Sequence, residues 1–119
     1  MQESGTVVIV FTTLPTDFDG NSFARALVEK RTAACVSIQA GVRSVFRWQD
    51  KIQCNKEQVV VIKTVSDLVV QLKDLICELH PYSEPEVLVV PVVGGSVSYL
   101  EWIKQSTLLD QAKNQEATD

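Results

Sequence analysis

Apolar positions enter the chain as a block. Residues 6–13 (TVVIVFTT) form a short, β-branched and almost continuous run, the pattern of a strand buried on both faces. Leu14-Pro15-Thr16 breaks it, since proline cannot donate to a ladder. From Asp17, a candidate N-cap, to about Arg31 the period turns helical: Phe23, Ala24, Leu27 and Val28 share one face while Arg25, Glu29 and Lys30 turn outward. Gly20 costs up to ~1 kcal/mol against alanine and predicts an irregular start. Residues 34–48 and 51–64 then read as two strands joined by a tight turn at Gln49-Asp50, with Gly41 marking a bulge or bend. Helical spacing returns over residues 65–79, where Val65, Leu68, Leu72, Leu75, Ile76 and Leu79 form one stripe and Ser66 is the candidate cap. Pro81 pushes His80 out of the α region and ends this helix. Residues 87–93 are a last apolar strand with Pro91 at an edge or bend. Gly94-Gly95 then turns the chain, and Ser96 caps a short helix carrying Tyr99, Leu100, Trp102 and Ile103.

Strand, helix, strand, strand, helix, strand is the order of split βαβ units. It predicts an α+β, ferredoxin-like sandwich: an antiparallel four-stranded sheet with two helices on one face. The right-handed crossover rule removes the mirror topology. One domain fills residues 1–106, and residues 107–119 are a polar tail expected to fray. At ~3.3 Å per residue a fourteen-residue strand reaches roughly 46 Å. A compact domain of this length has a radius of gyration near ~13 Å, so the hairpin is expected to project. An arm carrying Val45, Phe46, Trp48 and Ile52 is an edge that invites pairing with another chain.

Charge narrows the partners. Eleven basic and fifteen acidic residues give a net −4 over 119 residues, whereas nucleic-acid and anionic-membrane binders show a basic patch, so neither partner is expected. No stretch approaches the ~18 apolar residues of a membrane span, and the polar N-terminus lacks the features of a signal peptide. Cys35, Cys54 and Cys77 are odd in number and widely spaced, as reduced thiols are, which makes a cytoplasmic location the expectation. A single histidine cannot build a multi-histidine centre within one subunit. P-loop, dinucleotide-binding, zinc-protease and nucleophile-elbow motifs are missing, and no enzyme is expected.

Three groups of residues could carry chemistry. Cys77 and His80, spaced i, i+3, pair a thiol with an imidazole off the leucine stripe, a set suited to copper or zinc. The alternative is an incidental small residue beside a helix-terminal histidine. The loop from His80 to Glu86 (HPYSEPE) gathers an imidazole, a phenol and two carboxylates between two prolines, which restrict it in advance for a ligand or partner. It reads equally as a rigid connection with Tyr82 on the core. Arg47 and Trp48 on the arm, with Lys63 at the far end of the partner strand, could stack on an organic anion. Trp48 reads more simply as an interface anchor. Cys35 lies among small and apolar residues, as a buried thiol does.

These residues fall into a larger pattern: Ala33-Ala34-Cys35-Val36, Gly41 through Trp48 (GVRSVFRW), Lys51-Ile52, Ile62-Lys63-Thr64, His80-Pro81-Tyr82 with Pro85-Glu86, and Tyr99-Leu100 with Trp102-Ile103. In that order they resemble the CutA family of divalent-cation tolerance proteins from about Thr6 to Ser106. The resemblance implies a ferredoxin-like subunit in a homotrimer, similar to the PII signalling proteins, whose long hairpins extend each other's sheets. It implies a role in tolerance of copper and other divalent cations, with no obligatory cofactor. The metal candidates are His80, Cys35 and Cys77; the inter-subunit cleft would take Trp48, Lys63, Tyr82, Glu86 and Trp102, where a PII-like module would bind a small anion. Some bacterial relatives carry a cysteine and paired histidines where this chain has Phe11 and Leu79-His80.

Overall fold

A computed structural model describes residues 5–118, with side chains over residues 5–107; the N-terminal tetrapeptide read above lies outside the described residues. The elements are β1 (Val7–Pro15), α1 (Gly20–Glu29), β2 (Cys35–Trp48), β3 (Lys51–Val65), α2 (Val69–Leu79), β4 (Leu88–Pro91) and α3 (Val97–Thr118). The strands lie in the order β2-β3-β1-β4 with every pair antiparallel, the ferredoxin-like sheet that the element order predicts.

Alternation assigns the two faces. Val8, Val10 and Leu14 of β1 and Val60 and Ile62 of β3 are sealed in a core with Phe23 and Leu27 of α1 and Leu72 and Ile76 of α2. Burying each such side chain contributes about 1.5–3 kcal/mol. The intervening residues Ile9, Phe11 and Thr13 are only half-buried. The expectation of a strand buried on both faces therefore holds for one face. On the other, α3 covers one end of the sheet through Ile103, which packs with Val7, Val65 and Leu68.

β1 ends at Pro15, beside Glu57 of β3, and beyond that point β2 and β3 continue alone as a two-stranded arm. The molecule measures 56 × 29 × 24 Å with a radius of gyration of 15.7 Å, so the hairpin does project. The register slips between Gln39 and Val42, where Gly41 takes φ +74°, the expected bulge. At the tip Gln49 and Asp50 both hold positive φ (51° and 62°), which makes the turn type I′.

Four local readings need correction. Helix α1 is capped by Asp19 and not Asp17, because the Phe18 amide first closes a turn on the Pro15 carbonyl at 3.1 Å. Ser66 caps no helix with its side chain: residues 66–68 form a 3-10 turn ahead of α2, and the Ser66 amide extends the ladder to the Thr6 carbonyl at 2.7 Å. The last strand pairs over four residues only, Leu88 to Pro91. The terminal helix, expected to be short with a polar tail, is helical in its backbone through Thr118. Its later residues are rich in Leu, Gln, Ala, Lys and Glu, all good helix formers.

Candidate functional site

The loop after α2 is fixed by its histidine. His80 adopts extended dihedrals as the C-cap of α2, donates from Nε2 to the Thr13 carbonyl at 2.6 Å, and accepts the Tyr82 amide at Nδ1 at 3.1 Å. This is the neutral Nε2–H tautomer, with both ring nitrogens engaged. The residue is buried, 8% exposed, and its ring stands edge-on to Phe23 at 6.3 Å between centroids, with the Tyr82 ring 5.0 Å away. A helix end, a strand end and the proline-bounded loop are thereby joined.

The metal candidates do not come together within one chain. Cys77 is exposed on α2, while Cys35 is half-buried at the start of β2. Cys35 pairs with Lys63, which pairs with Ile9, four residues along β1 from the Thr13 that holds His80. That is roughly 13 Å of strand. Among the described residues no three His, Cys, Asp or Glu side chains are placed to hold an ion. A metal on His80 would also have to displace a hydrogen bond already made. Phe11 and Leu79 are apolar, and Leu79 packs against the core.

The cleft candidates separate into three places. Lys63 on the open sheet face donates to the Tyr99 hydroxyl at 3.3 Å and lies 5.5 Å from that ring's centroid. Tyr99 in turn stacks at 5.5 Å on Trp102. Helix spacing i, i+3 brings these two rings side by side on α3. Tyr99 is a site residue that the sequence reading left in the helix pattern, although its spacing from Trp102 was visible. Tyr82 and Glu86 sit at the other end of β1, both exposed. Burial, then the charges of Glu57 and Asp17, push the Tyr82 phenol above its ordinary 10.0. Trp48 is 57% exposed at the arm tip, paired with Lys51, twelve residues along β3 from Lys63. Roughly 40 Å of strand separates them, so one chain cannot place both in a single cleft.

The fold and these surfaces define a class: a small ferredoxin-like domain with a projecting arm and a half-open sheet face bearing a lysine and two aromatic rings. The chain belongs to the CutA1 divalent ion tolerance protein family, whose model matches residues 8–106. It is 36% identical over 99 residues to the divalent-cation tolerance protein CutA of Thermus thermophilus, covering 83% of this chain and 96% of that protein. It is 41% identical over 103 residues to human protein CutA, covering 87% of this chain and 58% of the relative. The chloroplastic CutA of Arabidopsis thaliana is 39% identical over 110 residues, 90% of this chain and 60% of that one. The chain thus spans about three-fifths of the length of those two eukaryotic relatives. The crystal structure of CutA1 from Oryza sativa superposes with a TM-score of 0.82 at 37% identity, covering 87% of this chain and 97% of the other.

Proposed function

We propose that the protein serves divalent-cation tolerance as a non-enzymatic homotrimer, and that its transition-metal contacts are weak and lie between subunits. The observation that carries this reading is the placing of Trp48 and Lys63 twelve residues apart along the hairpin, roughly 40 Å of strand: the cleft becomes complete when a neighbour's arm supplies its tryptophan. The unpaired edge of β2 and the apolar tip offer the means of assembly. Cys35, beside Lys63 on the open face, is the metal contact of choice, and His80 serves to fasten its loop. The free state of the three cysteines accords with a reducing, cytoplasmic setting. No helix among the described residues is long and apolar enough to cross a membrane.

Sedimentation velocity tests the assembly, with three times the chain mass expected. Copper and zinc calorimetry on wild type, Cys35→Ser and His80→Ala tests the contact. Loss of heat in Cys35→Ser with retention in His80→Ala is expected; the reverse pattern would return the ligand role to His80.

A second reading draws on the Lys63–Tyr99–Trp102 arrangement. A cation beside stacked rings suits a small aromatic or organic anion, as in a PII-like signalling module. A thermal-shift screen of nucleotides and organic acids, with Lys63→Ala as control, separates it from the metal reading. Absence of any wild-type shift removes it.

A further inference from the structure

Charge is divided unevenly along this chain. The arm, residues 42–56, holds Arg43, Arg47, Lys51 and Lys56 against one acid, Asp50, a net charge of +3. With −4 for the whole chain, the remainder carries −7. A basic ribbon is mounted on an acidic body.

At the root of that ribbon stands Glu57. The residue is 8% exposed, and among the described residues neither a hydrogen bond nor an ion pair reaches its carboxylate. Its oxygens still touch solvent, so covering them in an assembly is costly unless a cation completes the carboxylate. Within its own chain none is in place. Glu57 faces Val42 across the ladder, whereas Arg43 faces Lys56 at the next position and so turns to the opposite side of the ribbon. Asp17 lies two residues past Pro15, the partner of Glu57 on β1, and Tyr82 is held at the same strand end, its amide on His80 at 3.1 Å and His80 on the Thr13 carbonyl at 2.6 Å. Two carboxylates and an exposed aromatic ring thus converge where the three-stranded sheet narrows to two strands, leaving the β3 edge open beside them.

We propose that this notch of Asp17, Glu57 and Tyr82 receives an arginine from the basic arm of a second copy of this chain. A guanidinium suits it because its planar fork matches a carboxylate in two parallel hydrogen bonds and its face stacks on a phenol ring. Arg43 and Arg47 are exposed and, among the described residues, make no ion pair of their own. The inference rests on the homotrimer reading and adds the contact that fixes how the subunits meet.

The test is a charge-reversal cycle read by sedimentation velocity on the full chain. Glu57→Arg is expected to weaken assembly by at least roughly ten-fold, as the loss of a desolvated charge pair does. Combining it with Arg43→Glu or Arg47→Glu should restore most of the loss. A milder cycle, Glu57→Gln with Arg43→Gln or Arg47→Gln, measures the same coupling should the reversal prevent folding. Additive effects with both arginines would overturn the proposal. A wild type that sediments as a monomer overturns the homotrimer reading itself, so the two failures are distinct.

Discussion

Two side chains in the sealed part of the molecule are satisfied in opposite degrees. His80 spends both nitrogens on backbone, while Thr12, fully buried in the same region, leaves its Oγ1 without a partner. Thr12→Val keeps the shape and removes an unpaired hydroxyl, so it should stabilise the fold by about 1 kcal/mol in urea unfolding. A destabilised variant would mean that the hydroxyl is satisfied by water. Tyr82 carries a pH signature. Its folded pKa lies above the ordinary 10.0, so its contribution to stability is present below pH ~10 and is lost as pH rises through the higher folded value. Tyr82→Phe should therefore flatten the alkaline limb of the melting-temperature profile, and Glu57→Gln should bring the phenol's titration closer to 10.0. Asp19 behaves in the opposite sense, its pKa lowered by the Ser22 amide and then by the Ser22 hydroxyl. The advantage of wild type over Asp19→Ala should persist near neutrality and disappear on acidification through the folded-state value, below 3.8. At this scale the sequence was readable where backbone rules govern: Pro81 placed the end of α2 and Gly41 the bulge. It was silent on the bond from His80 to Thr13, which tertiary packing makes across sixty-seven positions.

Elements were legible to the extent that their own pattern decides them. Short apolar runs marked β1 and β4, and the 3.6 period marked α1 and α2, because the faces of these elements are sorted by burial in one core. Boundaries shifted where a neighbour competes for the backbone. The Phe18 turn moves the cap of α1 to Asp19, and the short pairing of β4 depends on where β1 offers a ladder. The arm is the element whose stability is most open to adjustment. Gln49 and Asp50 both occupy the left-handed region, a conformation that Asn and Gly adopt with less strain. Gln49→Asn with Asp50→Gly should slow hydrogen exchange at the arm amides without altering the protection of α1 and α2. Unchanged exchange in the arm would show that the tip turn does not limit its opening. Gly41 is the reverse case: no neighbour lies within 4 Å of an added Cβ, so Gly41→Ala meets open space and its cost is that of φ +74° alone, about 1 kcal/mol.

For the whole molecule, the candidate site became interpretable only when its pieces were seen to be too far apart. Their residue types were all visible in the sequence, but proximity was not, since Trp48 stands at the arm tip, Lys63 on the open sheet face and Tyr82 in the loop after α2. The apolar arm then has a specific consequence. Ile52 is 70% exposed in the isolated chain, so Ile52→Lys removes little from the fold of a single subunit. In an assembly built on that arm it introduces a buried, unpaired charge, and association should fail. A folded assembly links unfolding to subunit concentration, whereas a monomer does not. The melting temperature of wild type should therefore rise with protein concentration, and that of Ile52→Lys should be lower and independent of concentration, with the far-ultraviolet circular dichroism of the two alike. If the variant keeps both the wild-type sedimentation coefficient and the concentration dependence, the face of the arm that carries Ile52 lies outside the contact.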